Sequence, residues 1–321
     1  MVAEQGQRED FPAIRLKLQQ VLEYVNNFLS AMAQKSEATQ QTYKRTLREF
    51  LYFFTRDRRF FFRPRDVVRY RTYLVRIKRL KPASVATYMT ALRRFCQFLV
   101  DQGVLVRNPA RRVPGARRPQ QHSRTFLTAA EIERLLASLE PSTLVDLRDR
   151  ALVLMMLGCA CSERELAVLD VADIRKQGRH WVVYVQGKGR KAKDEAIPIP
   201  PKVYEALQEY LKARGEVAPK EPLFLSHSPR SRGQRMSTRG IREVVNARLR
   251  ESGIKGDRRL CLTPFSLRHT AGLLLAEGGA SVEEIMQRMR IRWRPTALLY
   301  FRQRGKVGSG PELQQLVQLP P

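Results

Sequence analysis

The sequence predicts a mainly α-helical protein that carries one small antiparallel β-sheet and is divided into two domains. Its 321 residues exceed the usual length of one domain, and a hydrophobic content of 43% is enough for a sizeable core. Up to residue 118, apolar side chains recur at three- and four-residue spacing, which is typical of helices packed on one face. After Thr125, a hairpin pattern appears among further helices.

The net charge points to a polyanionic partner. Lys and Arg outnumber Asp and Glu by 59 to 31, which gives a formal charge of +28 and a pI near 10.8. Such an excess favours nucleic acid over an anionic membrane surface as the partner. The sequence has no run of 18 or more apolar residues, no signal-peptide pattern and no basic amphipathic terminal helix. We therefore expect a cytoplasmic, nucleoid-associated protein that does not bind membranes.

The cysteines indicate reduced thiols. Cys96, Cys159, Cys161 and Cys261 are too few and too irregularly spaced for a disulfide framework. No pair of His and no second Cys pair accompanies the two neighbouring cysteines to complete a zinc site. Neither a metal ion nor a cofactor is expected.

The first domain is predicted to be helical and strongly basic. Residues 1–28 are interpreted as an N-terminal arm and a helix start near Ala13, and residues 29–106 as the domain itself. Helices are predicted over residues 36–54, 64–79 and 82–102. Residues 30–118 contain 22 Lys and Arg against 5 Asp and Glu, a net +17. The candidate DNA contacts on these helices are Lys44, Arg45, Arg48, Arg93 and Arg94.

Residues 107–124 are predicted to be a linker, because they are rich in proline and arginine and lack hydrophobic periodicity. The segment could be a solvated spacer or a cationic strap along a phosphate backbone. The candidate phosphate contacts are Arg111, Arg112, Arg117 and Arg118.

The second domain, residues 125–303, is predicted to be mixed α and β. A capping box at Thr128 and Glu131 opens a helix, and the apolar stretch 145–158 is interpreted as a buried helix. Strands over 181–185 and 195–199 flank a basic tip, and helices are predicted over 200–212, 264–277 and 282–289. Residues 304–321 form a C-terminal tail whose short apolar helix must dock somewhere.

Four ordered blocks carry a family resemblance. They are Glu165-Leu166 with Asp173-Ile174, Gly187-Lys188-Gly189, Thr263-Pro264-x-x-Leu267-Arg268-His269, and Tyr300. Their order and separations resemble the tyrosine recombinases, the phage-integrase and Xer-type DNA strand transferases. The resemblance implies a helical core-binding (SAM-like) domain, a mixed α/β catalytic domain, and two domains that close around duplex DNA. It also implies two protomers on each DNA site and a tetramer in the synapse.

The chemistry of such an enzyme can be stated from the reaction. Attack on a DNA phosphodiester builds negative charge, which fixed cations must stabilise when no metal is used. A phenol can form the covalent intermediate, and a base and an acid must move protons. The resemblance places the nucleophile at Tyr300, a phosphate ligand at Arg268 and the general acid at Lys188.

Three family positions are altered. Ser162 stands where the first arginine is expected, Phe265 replaces a histidine, and Ile291 replaces the second histidine or tryptophan. Arg164 and Trp293 lie close enough in sequence to take over two of these roles, and His269 becomes the fallback proton carrier. Arg290, Arg292 and Arg294 could replace lost charge, although we favour a plain basic face.

We therefore predict a site-specific recombinase that is slow or depends on a partner, which could be another recombinase. The alternative is an inactive homologue that binds DNA as an architectural or accessory protein. An RNA-binding protein is disfavoured because no aromatic stacking platform is evident. By the resemblance, the tail is expected to pack on a neighbouring protomer.

Overall fold

The structure is a computed structural model that describes residues 11–57, 59–116, 126–187, 189–256 and 262–319. The chain divides into two compact units, Met1–Gln120 and Gln121–Pro321. Within the described ranges, no helix is both long and apolar enough to span a bilayer. In the same ranges, no three His, Cys, Asp or Glu side chains are grouped so that they could hold a metal ion.

The first unit is helical in its described parts and has an aromatic core. Phe50 lies at its centre, with ring centroids 5.4 Å from Phe60 and 5.5 Å from Tyr70 in edge-to-face contacts. The predicted helix over 64–79 ends earlier and continues as a π-helical turn, and the first helix begins later than Ala13. The elements are α1 (Leu18–Ala31), α2 (Glu37–Arg56), α3 (Pro64–Thr72), the π-helical turn (Tyr73–Ile77) and α4 (Pro82–Asp101).

The start of the predicted linker packs on this unit. Ala110 and Val113 are buried in its core. The Arg93 side chain fixes both residues, because its Nε donates to the Ala110 carbonyl at 3.1 Å and its Nη2 to the Val113 carbonyl at 3.1 Å. Residues 107–116 therefore belong to the first unit, which differs from the predicted spacer, and residues 117–124 lie outside the described ranges. Ala110 and Val113 are two isolated apolar residues, so they produce no hydrophobic periodicity from which this packing could be predicted.

The second unit contains a three-stranded antiparallel sheet in the order β1-β2-β3. The predicted hairpin is formed by β2 (His180–Val185) and β3 (Glu195–Pro198), with Val182 opposite Pro198. The strand β1 (Ile174–Gln177) was not predicted from the sequence, and its last three residues are exposed and polar. A strand of this kind carries no apolar alternation.

One apolar helix organises the second unit. α6 (Leu144–Gly158) packs against α8 (Pro201–Arg214), α9 (Thr238–Glu251) and α10 (Pro264–Glu277), so it is apolar on nearly every side. Its end delivers residues 158–162 to the site described below. The remaining helices are α5 (Ala129–Ala137), α7 (Glu163–Ala167), the 3₁₀ turn (Val171–Asp173), α8 (Pro201–Arg214), α9 (Thr238–Glu251), α10 (Pro264–Glu277), α11 (Val282–Arg288), α12 (Arg294–Phe301) and α13 (Pro311–Gln314).

The C-terminal tail packs on its own unit. Leu313, Leu316 and Val317 are buried in the core of that unit. The Glu277 carboxylate accepts hydrogen bonds from the backbone N–H groups of residues 305, 307 and 309, at 3.0, 3.1 and 3.2 Å. In the isolated chain the tail therefore packs in cis, which differs from the expected packing on a neighbouring protomer.

Candidate active site

The site is built on one face of α10. Phe265, Arg268, His269 and Gly272 follow one another at helical spacing, so they share a face of this helix. α12 packs against α10 and presents Tyr300 to it. Residues from two distant sequence blocks therefore meet here.

Tyr300 and His269 form a buried pair. The His269 Nδ1 lies 2.8 Å from the Tyr300 hydroxyl, and only 2% of Tyr300 is exposed. Gly272 makes this approach possible, because a Cβ at that position would lie 2.7 Å from the Tyr300 ring. Burial raises the pKa of Tyr300, and the nearby Arg268 charge opposes that rise only in part. The phenol is therefore protonated at neutral pH and is hydrogen-bonded to a group that can accept its proton.

Phe265 supports the histidine instead of exchanging protons. Its ring packs edge-to-face on the His269 ring, with the centroids 5.1 Å apart. The Arg268 guanidinium lies 5.8 Å from the centre of the same Phe265 ring. Phe265, which stands where the family has a histidine, thus packs against both His269 and Arg268.

Arg268 is anchored and still has hydrogen-bond donors to offer. Its Nη1 donates to Glu165 Oε2 at 2.8 Å and to the Ala160 carbonyl at 2.7 Å, and its Nη2 donates to the Met289 carbonyl. Its Nε–H and second Nη2–H have no acceptor in the described parts of the chain. The side chain is 11% exposed, so these two groups can bind the oxygens of a phosphate.

Glu165 is the centre of the cationic part of the site. The carboxylate is buried and also accepts from the Ser162 backbone N–H at 2.7 Å and the Ser162 hydroxyl at 2.8 Å. Ser162 therefore acts as the N-cap of α7 and brings no charge. Burial alone would raise the pKa of Glu165, but the Arg290 and Arg268 guanidinium groups outweigh it and lower that pKa.

Arg290 is a second guanidinium on the same carboxylate. Its Nε lies 2.8 Å from Glu165 Oε1 and its Nη2 2.7 Å from Glu165 Oε2, and its side chain is 5% exposed. For Arg290 the interpretation as part of a plain basic face is wrong, whereas Arg292 and Arg294 are exposed. Nothing in the sequence separates the buried arginine from the other two.

The other proposed replacements lie elsewhere. Arg164 is exposed on α7, and Trp293 is 70% exposed at the N-cap of α12. Ile291 is partly buried against the core of its unit. Within the described ranges, the side chain that is hydrogen-bonded to the Tyr300 hydroxyl is that of His269.

Lys188 lies outside the described residues, but the loop around it is defined. The Arg190 backbone N–H donates to the Gly187 carbonyl at 3.0 Å, and Gly189 has a φ of +82°. The Arg190 side chain pairs with Asp194 at 2.5 Å.

The predicted DNA contacts of the first unit divide into two groups. Lys44, Arg45 and Arg48 are exposed on one face of α2, and Arg94, Arg111 and Arg112 are exposed as well. Arg93 is partly buried and holds the backbone at residues 110 and 113. Arg117 and Arg118 lie outside the described ranges.

Comparison with known proteins identifies the family. The model of the phage integrase family matches residues 125–291, and that of the phage integrase N-terminal SAM-like domain matches residues 23–103. The chain is 35% identical over 213 residues to tyrosine recombinase XerC of Haemophilus influenzae strain 86-028NP, covering 65% of this chain and 66% of the relative, just under two thirds. It is 29% identical over 279 residues to XerC of Pelobacter propionicus, covering 84% of this chain and 87% of the relative.

Two solved structures share the fold. The XerH site-specific recombinase bound to a palindromic difH substrate has a TM-score of 0.75 at 17% identity, covering 92% of this chain and 96% of that one. A lambda integrase dimer bound to a COC′ core site has a TM-score of 0.67 at 15% identity, covering 89% and 78%. The chain therefore belongs to the phage integrase family of tyrosine recombinases.

Proposed function

We propose that the protein is a site-specific recombinase that cuts and rejoins double-stranded DNA through a covalent 3′-phosphotyrosine at Tyr300. One observation carries the proposal. The Tyr300 hydroxyl is hydrogen-bonded to His269, and the preceding residue, Arg268, is anchored with two donors available. A nucleophile on α12 therefore lies against the face of α10 that carries a proton acceptor and a phosphate ligand.

The geometry suggests how the reaction proceeds. With His269 protonated on Nε2, its Nδ1 accepts the phenolic proton while the Tyr300 oxygen bonds to phosphorus. The bond from phosphorus to the 5′-oxygen breaks, and Arg268 donates to the non-bridging oxygens as their charge grows. The leaving 5′-oxygen takes a proton from a general acid. Lys188 remains our candidate for that acid. Religation runs the same steps in reverse.

Two features support slow or partner-dependent cleavage. Tyr300 is buried, and its raised pKa keeps the nucleophile protonated, so the reactive phenolate is scarce at neutral pH. Ser162 and Phe265 also replace groups that the family uses for charge and proton transfer. We prefer an enzyme to a pure DNA-binding protein, because DNA binding alone needs no contact between a buried phenol and an imidazole.

We also propose that two protomers occupy one DNA site and that four assemble in the synapse. The exposed cations on α2 would bind phosphates beside the base edges of the major groove. The lambda integrase structure is a dimer on its core site, which supports the pairing. A second recombinase as partner and association with the nucleoid are part of the same proposal.

The test is covalent trapping. The binding site is first selected from random duplex DNA by the protein itself, and is then made with a nick that prevents religation. Denaturing electrophoresis should show a protein–DNA adduct with the wild-type chain and none with Tyr300→Phe, while DNA affinity stays within about twofold. Tyr204→Phe is the matched control, because this half-buried tyrosine stacks on Trp181 in the same unit and should leave the adduct unchanged.

Two outcomes would count against the proposal. An adduct that survives Tyr300→Phe would show that another residue is the nucleophile. No adduct from the wild-type chain on the selected site, with related recombinases added, would favour the protein that only binds DNA.

A further inference from the structure

Arg290 lies beside Arg268 on the buried Glu165 carboxylate, and neither the family pattern nor its position in the sequence gives it a role. We propose that Arg290 is a positioning residue for strand transfer, which offsets the Glu165 charge so that Arg268 keeps a net positive charge for the scissile phosphate. The inference rests on the proposed recombinase function.

The hydrogen bonds distinguish the two arginines. Every N–H group of Arg290 has an acceptor within the protein, so Arg290 has none left for DNA. Arg268, in contrast, keeps two N–H groups without an acceptor in the described ranges. Arg290 therefore acts through Arg268 and is not itself a phosphate ligand. Its acceptors are Glu165 Oε1 and Oε2 and the carbonyls of Cys159, Ala160 and Arg288.

The charges give the arrangement its function. Arg268 and Glu165 alone would be a neutral buried pair, which attracts an anionic phosphate only weakly. Arg290 brings the three-residue cluster to +1, and in a low-dielectric site that unit of charge acts strongly on a developing phosphorane. Ser162, which caps the same carboxylate, supplies no charge.

Backbone conformation supports the same conclusion. Ala160 and Arg290 have left-handed φ values of +49° and +53°, which favour glycine. The Ala160 carbonyl accepts from Arg268 Nη1 at 2.7 Å and from Arg290 Nη2 at 2.6 Å. Arg290 thus occupies a backbone conformation that suits glycine, and it is hydrogen-bonded to Ala160, which has the same kind of conformation. We infer that the arginine side chain is needed at this position.

The experiment distinguishes an electrostatic role of Arg290 from a purely structural one. Single-turnover cleavage is measured on two suicide substrates, one with an ordinary scissile phosphate and one with a methylphosphonate, which carries no negative charge. Arg290→Gly suits the local backbone. It should slow cleavage of the phosphate about 100-fold, and that of the methylphosphonate less than about tenfold, because only the first needs the cation. Arg292→Gly, an exposed neighbour, is the matched control at saturating protein.

Two further variants test the same charge effect if Arg290→Gly does not fold. Arg290→Gln should be slow, and adding Glu165→Gln should recover much of the lost rate, because Arg268 alone then restores +1. If Arg290 had only a structural role, the double variant would instead cleave more slowly than either single variant. Equal losses on the two substrates, wild-type rates in Arg290→Gly, or no recovery in the double variant would overturn the role of Arg290. Absence of any adduct from wild type would overturn the proposed function itself, and this inference with it.

Discussion

The His269 Nδ1 lies 2.8 Å from the Tyr300 hydroxyl, inside a site where the phenol is almost fully buried. Burial raises the pKa of Tyr300, so the reactive phenolate is scarce at neutral pH. A phenol in this state can attack only if its proton has a nearby acceptor. The imidazole is in position to be that acceptor, although the family pattern expects a histidine at position 265 instead.

We therefore predict that His269→Ala slows single-turnover cleavage at pH 7.5 by about 100-fold, the lower range for loss of a general base. The pKa of Tyr300 is raised above its usual value near 10. At every pH below 10, the phenolate fraction therefore grows about tenfold with each pH unit. Cleavage by the variant should rise with the same slope, and that of wild type less steeply. The measurement is the rate of adduct formation between pH 6 and 9.5.

Two variants control this prediction. His269→Gln keeps a polar side chain without a comparable base, and it should follow the alanine variant in rate and slope. His227→Ala, in the loop after α8, should behave as wild type. Parallel pH profiles for wild type and His269→Ala would show that the imidazole only packs against the phenol.

Gly272 gives the nucleophile its space. A Cβ at this position would lie 2.4 Å from Met289 Sδ and 2.7 Å from Tyr300 Cε1, so Gly272→Ala must displace the tyrosine ring. We expect cleavage to fall at least about tenfold because the oxygen is misplaced relative to the phosphate, while DNA affinity is unchanged. Adduct formation and fluorescence anisotropy measure the two effects.

Gly240→Ala is the control for this change, since a Cβ there meets nothing closer than 3.6 Å in α9. It should leave both cleavage and binding unchanged. A Gly272→Ala protein that cleaves at the wild-type rate would mean that Tyr300 does not react from the buried position.

Two adjacent arginines of α4 should differ in what they do for binding. Arg94 is exposed, whereas Arg93 holds the Ala110 and Val113 carbonyls. Arg94→Gln should lower the slope of log K against log salt by about 0.9, the contribution of one phosphate contact. Arg93→Gln should leave the slope nearly unchanged and lower the free energy of unfolding of the first unit by about 1–3 kcal/mol.

Affinity titrations between 50 and 300 mM salt and urea unfolding of each variant test this contrast. Neutralising Arg111 and Arg112 together should also flatten the slope, because both side chains are exposed on the basic segment. An Arg93 variant that loses a full phosphate contact without losing stability would reverse our assignment.

The sequence predicted those parts of the site that are encoded locally. The capping box at Thr128 and Glu131 marks the start of α5, and the block around Arg268 identifies α10 before any coordinates. The role of Arg290 could not be predicted, because it depends on a left-handed backbone turn and on a carboxylate 125 residues away in sequence. The packing of Val113 was hidden for a similar reason, since one valine among arginines carries no periodic signal.

The C-terminal tail should stabilise the chain to which it belongs. Leu316 is buried in the core of its own unit, and its carbonyl lies against Gly158, where a Cβ would come within 2.6 Å of it. Leu316→Ala should therefore lower the free energy of unfolding by about 2–5 kcal/mol, even in a protein that carries no DNA. Thermal unfolding should shift equally at low and high protein concentration, because packing within one chain does not depend on mass action. Val106→Ala, at an exposed position, should change stability by less than about 0.5 kcal/mol. A shift that appears only at high concentration would place the tail on a second protomer.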